Sequence, residues 1–519
     1  MKILKFAGIA GAALLLLLVV ATTVIAVKFD ANWAKQEAMR VVKEEKQRDL
    51  RIDGELSLSF FPALGIRLGK ASLSEVRSGD EFVGVESARV SVRLIPLLTK
   101  QIVVDHIELQ GVRANLIRRK DGGFNFDDLL SKRQGESPLR FDLASLSIGN
   151  TTLGYRDEAT GRQIRLDDVK LKTGPLANAA HGDLRLSGRF DDRQSATEAH
   201  FDLVAAYDFE AERQHFVFSD LKAKLTGDAA GMKNLDARLA VRVLALTGAK
   251  NDMRVEGVSF ESKAQLAGEV LEARLDLPQW LLVGDKLSSE ATQGSFALTG
   301  KSRQLEGKLE LSALEGSPAA LRAGKLGVRW TLQQGATQVR GELVSPLQGN
   351  LGIFLFDLPK LVGEAEISHP SMPMKQLKLP LSGALQAELG KSGISGNLAT
   401  HFDETNIQAT WKAARLAPLS LVFELLVDQL NVDRYLPSDA PMETAKSGSD
   451  VPPSSPDSLA DHVAGKEPDI QGVVRIGALQ IHTVKINNVR ADVRVINGRL
   501  DIGPLNALTH QGALSGATK

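Results

Sequence analysis

The chain has no cysteine in its 519 residues. That excludes disulfides, thiol nucleophiles, cysteine-ligated zinc and iron–sulfur clusters. Net charge is also absent, because 63 Lys and Arg balance 63 Asp and Glu. No basic field for nucleic acid follows from such a balance. Aromatic residues make up only 5%, so the apolar content is mainly Leu, Val and Ala. The nine histidines are scattered, and the closest pair, His200 and His215, falls far outside metal-ligand spacing. There is no phosphate-binding G-x-x-x-x-G-K-[ST], no G-x-G-x-x-G after a strand, no H-E-x-x-H and no G-x-S-x-G. Nothing in the sequence supports an enzyme, a metal site or a cofactor, and none is expected.

What is present begins with residues 6–27, FAGIAGAALLLLLVVATTVIAV, a run without a charge. As a helix it would cover about 33 Å, enough for a hydrocarbon core of about 30 Å. Lys2 and Lys5 precede it, while Lys28 and Asp30 offset one another after it. The positive-inside bias then places the N-terminus in the cytoplasm and the rest of the chain outside. The run is longer than the core of a cleaved signal peptide, and Val24 with Ala26 makes a poor cleavage site, so we read it as an uncleaved anchor. Residues 30–50, DANWAKQEAMRVVKEEKQRDL, read as a helix capped by Asp30 or Asn32. Trp33 in that helix suits either the membrane interface or ordinary packing.

From Gly54 onward the period changes to two. Leu56, Leu58 and Phe60 alternate with Glu55, Ser57 and Ser59, and Val90, Val92 and Leu94 with Arg89, Ser91 and Arg93. Val112, Ala114 and Leu116 alternate with Arg113 and Asn115. Such alternation is the mark of strands with one apolar face. It recurs along the chain, at Leu184 and Leu186, Ala223 and Leu225, Ala237 to Val243 and Val489 to Val495, with roughly 20–30 strands expected from typical strand lengths. Asn497-Gly498 predicts a hairpin turn. Residues 279–283 and 351–355 are continuously apolar and fit either buried strands or short helical turns. Residues 438–469, rich in Ser, Pro, Asp and Gly, read as a disordered loop. The adjacent carboxylates Asp127-Asp128, Asp167-Asp168 and Asp191-Asp192 read as solvated turn residues, because neighbours on a strand face opposite ways. In residues 111–130, GVRANLIRRKDGGFNFDDLL, a strand runs into a Gly-rich turn and a short amphipathic segment. We read this as a plug over an open sheet edge, with Phe124 and Phe126 covering it and Asn125 capping the turn.

At these residues the chain resembles the AsmA family of bacterial envelope proteins. The anchor and following helix come first, then residues 53–75, DGELSLSFFPALGIRLGKASLSE. Residues 85–130 follow, carrying PLL, the V-D-H-I-E-L-Q-G strand and DGGFNFDDLL in family order. Residues 423–437, FELLVDQLNVDRYLP, resemble a later family element. The resemblance implies a mainly β fold with few helices: an N-terminal transmembrane helix, then an elongated, curved antiparallel β-sheet groove of the chorein-like kind. The expected organisation is an anchor over 1–28, a juxtamembrane helix over 29–50, the start of the groove over 51–135, its continuation over 136–437, the loop over 438–469 and further strands, truncated at the end, over 470–519. It also implies a protein of the bacterial inner membrane, its bulk periplasmic, moving phospholipid between inner and outer membranes. Acyl chains would then lie on Leu56, Leu58, Phe60, Val90, Val92, Leu94, Val112 and Leu116. The alternative is a tethered assembly factor that binds outer-membrane components or their machinery by β-augmentation. The quantity separating an open groove from a closed sandwich is whether the apolar face is covered.

Overall fold

A computed structural model describes residues 30–59, 64–93, 104–130, 143–177, 179–210, 213–229, 231–248, 252–391, 393–416, 419–435, 469–481, 484–496, 499–509 and 512–518. The apolar run 6–27, Phe60, Leu94 and nearly all of the loop at 438–469 lie outside them. No helix among the described residues is long and apolar enough to cross a membrane. Those residues form 31 strands, against the 20–30 expected, and little helix. The chain divides into two compact units, 1–230 and 231–519.

The first unit opens with helix α1 (Ala31–Lys46). Asp30 caps it, its carboxylate accepting from the backbone N–H groups of Asn32 and Trp33 at 2.9 and 3.0 Å. The helix is shorter than the expected 30–50. Gln47 takes a left-handed conformation (φ 55) at the C-cap, and Leu50 already belongs to a strand. Strands β1 (Leu50–Ile52), β2 (Leu56–Ser59), β3 (Leu64–Leu68), β4 (Ala71–Ser74), β5 (Glu81–Val85), β6 (Ser87–Val92), β7 (Val104–Gln110) and β8 (Arg113–Arg118) form two branches. One pairs β2, β3, β6 and β7 in order, the other β1, β4, β5 and β8. Between β8 and the next strand lies the four-residue helix α2 (Asp127–Leu130). Strand β9 (Ser145–Asp157) gathers both branches, its first half pairing with β7 and its second with β8. Strands β10 (Gln163–Thr173), β11 (Ala180–Asp192), β12 (Thr197–Glu210) and β13 (His215–Ala229) then follow as plain antiparallel neighbours.

The second unit is a longer ladder of the same kind. Strands β14 (Met232–Thr247), β15 (Asp252–Leu266) and β16 (Glu269–Val283) pair in sequence. At β16 the ladder forks. Residues 280–283 pair with β17 (Lys286–Ser289), while 270–276 pair with β18 (Thr292–Thr299). β18 continues to β19 (Arg303–Leu311), β17 to β20 (Leu314–Ser317), and both arms rejoin on β21 (Ala320–Gln334). Leu287, Leu314, Leu321 and Ala323 make a buried cluster at the fork. Residues 279–283 therefore close a strand, whereas 351–354 form a turn. Strands β22 (Thr337–Asn350), β23 (Leu355–Ser368), β24 (Gln376–Glu388), β25 (Gly393–Phe402), β26 (Thr405–Leu416) and β27 (Leu419–Asn431) follow one another. Beyond them lie β28 (Asp469–Ile481), β29 (Val484–Ile496), β30 (Arg499–Thr509) and β31 (Gly512–Thr518), with Ile496 opposite Arg499; the expected turn at Asn497-Gly498 lies outside the described residues.

Among the described residues the recorded pairings are antiparallel, as expected, with three exceptions. β7 and β8 both run parallel to β9, and β27 runs parallel to β28. The physical reason is connection length, since parallel neighbours need a crossover of a dozen or more residues. More than twenty residues separate Arg118 from Ser145, and more than thirty separate Asn431 from Asp469.

Candidate functional site

In a ladder, directly paired residues point to the same side of the sheet, so the register shows which side chains share a face. In the first unit one row runs Leu56, Leu68, Ala88, Leu109, Ile148, Leu171, Leu186, Leu203, Ala223, across nine strands. A second runs Leu58, Ile66, Val90, Ile107, Leu146. Val92 pairs with Leu64 beside it. The other branch supplies Leu50, Leu73, Val83, Ala114, Leu153, Leu166, Phe190 and Ala199. Leu116 joins this second set through Tyr155. Val112 stands just outside β8, half-buried, its carbonyl accepting from the Thr152 backbone at 2.8 Å. Of the expected groove residues described, Leu56, Leu58, Val90, Val92 and Leu116 thus fall on aligned apolar rows.

Alternation alone would not keep these rows together, because Leu146 and Ile148 are even-numbered while Leu153 and Tyr155 are odd. β-bulges make the correction. Asn150 (φ 51) in β9 and Asp168 (φ 52) in β10 each take the left-handed conformation, and the register shifts beside them. One extra residue per strand restores the apolar set to its face. On the opposite face Arg67, Arg89, Glu108, Ser147, Lys172 and Arg185 form a polar row.

In the second unit an uncharged row crosses fourteen strands: Leu239, Phe260, Leu275, Gly294, Leu309, Val328, Leu343, Gly363, Leu381, Thr400, Ile407, Val427, Ile476, Val489. A parallel row holds Leu271, Leu298, Leu305, Leu332, Val339, Ile367 and Leu377. None of those seven is buried; all are half-exposed. In a sandwich a second sheet would cover them. Large rings on this face lie over glycines of the next strand. A Cβ built at Gly396 would stand 2.7 Å from the Trp411 ring, and the first unit does the same by itself, a Cβ at Gly188 standing 2.8 Å from the Phe201 ring. Phe296 over Gly307, Trp330 over Gly341 and Phe423 over Gly472 repeat the arrangement. The rings lie flat, so the face stays low.

The opposite face carries the charges. Two open troughs, about 700 Å³ in the second unit and about 670 Å³ in the first, are lined by charged side chains of both signs together with Ala273, Phe296 and Trp330 in the second unit and Leu116 and Tyr155 in the first. Lys263 pairs with Glu272 at 2.7 Å and Arg274 with Glu261 at 3.2 Å. No group of three or more metal-ligating side chains converges among the described residues.

The plug locks α1 to the sheet. Arg48 is fully buried over the Phe82 ring, 4.7 Å from its centroid. Its guanidinium donates to both Asp128 oxygens at 2.8 and 2.6 Å, to the Ser74 carbonyl at 2.7 Å and to the Asn125 carbonyl at 2.6 Å. Those bonds hold the Asp128 carboxyl below its ordinary pKa, against the opposing effect of burial. Asn125 does more than cap a turn. Its side chain accepts from the Ile117 backbone at 2.9 Å and donates to the Asn115 carbonyl at 2.8 Å, pairing with β8 where no strand does. Phe124 bridges Arg118 and stacks with Phe126 at 5.1 Å, so the edge is plugged as expected. Asp128 and Asp192 are not solvated turn residues. Asp192 is 1% exposed, held by Arg162 at 2.8 Å and by its own turn at Gln194. Trp33 is 66% exposed at the start of α1. In the later motif Tyr435 donates to Asp403 at 2.6 Å and packs edge-on against Phe402; burial, then that bond, pushes its pKa up to about 12. Sequence reasoning missed Arg48, whose only signal was a basic residue just after the helix.

A plug beside the first strands and aligned apolar rows across serial strands in each unit define a protein of β-ladders, each with one apolar face. The chain belongs to the AsmA family, whose sequence profile matches residues 1–519. It is 24% identical over 166 residues to Protein AsmA of Escherichia coli (strain K12), a match covering 31% of this chain and 27% of that protein. The aligned part therefore spans about a quarter of that relative. No solved structure matches the chain.

Proposed function

We propose that this chain is a periplasmic carrier of phospholipid, held at the bacterial inner membrane by residues 6–27, that helps distribute lipid toward the outer membrane. It acts as a conduit and not as a catalyst. The observation that carries the reading is the pair of uncharged rows in the second unit, aligned by register, of which the seven residues from Leu271 to Leu377 are all half-exposed. Each methylene moved from water onto such a face gains about 0.8 kcal/mol, so acyl chains bind without polar specificity while headgroups stay wet. Trp33, exposed at the start of α1, would sit in the headgroup layer and set the height of the sheet above it.

The test is one charge on the face. Leu305→Asp or Val328→Asp in the full-length protein should impair outer-membrane barrier function in cells, at unchanged protein abundance. Lys308→Asp, on the opposite face of β19, should not. Normal barrier function in both apolar-face variants would remove the conduit reading. Crosslinks from the face to protein rather than lipid would favour an assembly factor instead.

A further inference from the structure

The row between the two leucine rows of the second unit is of a different kind. It runs Ala237, Ser262, Ala273, Phe296, Gly307, Trp330, Gly341, Ala365. Six of these eight side chains are small, and the two rings are laid flat on Gly307 and Gly341. On one side stand Leu271, Leu298, Leu305, Leu332, Val339 and Ile367, without a gap from β16 to β23. The other side is the row of Leu275, Leu309, Val328 and Leu343, interrupted at Gly294 and Gly363. Same-face residues on a strand are about 7 Å apart, so the two walls stand about 13 Å apart at the backbone. Leucines leaning in from both sides leave room for one alkyl chain on the floor and not for two abreast. At about 4.8 Å per strand, eight strands make the lane about 33 Å long. One leaflet's chains reach about 15 Å, half of a 30 Å core.

We infer that this lane is a track for single unbranched alkyl chains, lying across the strands on a floor of small residues from Ala237 to Ala365. The inference rests on the conduit reading and adds to it where the chain lies and how many fit abreast. The flat rings matter because an upright Phe296 or Trp330 would close the lane. Beyond β23 the row meets Leu379, a full-sized side chain, so the track is confined to the eight strands.

The experiment uses the full-length protein in detergent and a phospholipid with a linear fluorescent polyene chain. Ala273→Leu and Ala365→Leu fill the lane; Thr331→Leu, on the opposite face, is the control. The lane-filling variants should each lose about tenfold in probe affinity, with the control unchanged. A photoreactive residue at Ala273 in an otherwise natural chain should crosslink to the acyl part of the lipid, which keeps the test open if a filling variant misfolds. Tight binding by both filling variants, or headgroup adducts at Ala273, overturns the lane while leaving the conduit standing. No probe binding by the natural chain overturns the conduit itself.

Discussion

Arg48 occupies a site where four acceptors converge and no water reaches. Arg48→Ala removes the guanidinium from Asp128 while Lys46 stays beside it; the loss should fall at the lower end of about 3–5 kcal/mol, because Asp128 keeps some solvent and a second cation nearby. Urea unfolding, with hydrogen exchange across α1 and β1, would measure it. Asp128 is a carboxyl whose folded pKa is depressed, so its contribution is fully present above the ordinary carboxylate value of about 3.9 and fades as pH falls through the folded one. Exchange protection of α1 should thus hold from pH 7 to 5 and drop below about pH 4, and Asp128→Asn should abolish that dependence. Asn125→Ala orphans an Ile117 donor and an Asn115 acceptor, costing about 1–3 kcal/mol for each group that stays dry. Gly341→Ala forces the Trp330 ring off its seat, with about 1–3 kcal/mol of overpacking expected in thermal unfolding. At this scale the sequence was least legible. Asn125 and Asp128 stood out as a motif, but their partner Arg48 lies some eighty residues earlier and belongs to no local pattern.

Strands were the legible elements, because a period of two survives in a sheet with one wet face. Helix α1 was legible at its start, where Asp30 is an ordinary cap, and not at its end. Gln47 terminates it in a left-handed conformation that no glycine announces, and the residues beyond were strong enough helix formers to suggest continuation to Leu50. The bulges were invisible for a related reason: Asn150 and Asp168 look like turn residues, and only the paired strand reveals that they re-register β9 and β10. Deletion of Asp168 should rotate one half of β10 to the wrong face, because a shift of one residue inverts every side chain beyond it. Loss of soluble expression, compared with Asp168→Gly at normal yield, is the expected pattern. Parallel pairing at β9 and at β28 was likewise unreadable, since alternation carries no direction.

At the scale of the whole molecule, the sequence held the decisive property in dispersed form. Each strand showed one apolar face, as an open groove or a closed sandwich equally would. What separates them is register and cover. Register gathers Leu239 to Val489 into one row, and in the neighbouring row Leu305, Leu332 and Ile367 stay half-exposed, with no second sheet over them among the described residues. The most direct measurement is a photocrosslinking scan along β19 and β21 in living cells, stepping one residue at a time through Lys308, Leu309, Glu310 and Leu311, then Trp330, Thr331 and Leu332. The account predicts phospholipid adducts with a period of two, strong at Leu309, Leu311, Trp330 and Leu332 and absent at Lys308, Glu310 and Thr331. Adducts without that period, or confined to the charged face, would contradict it.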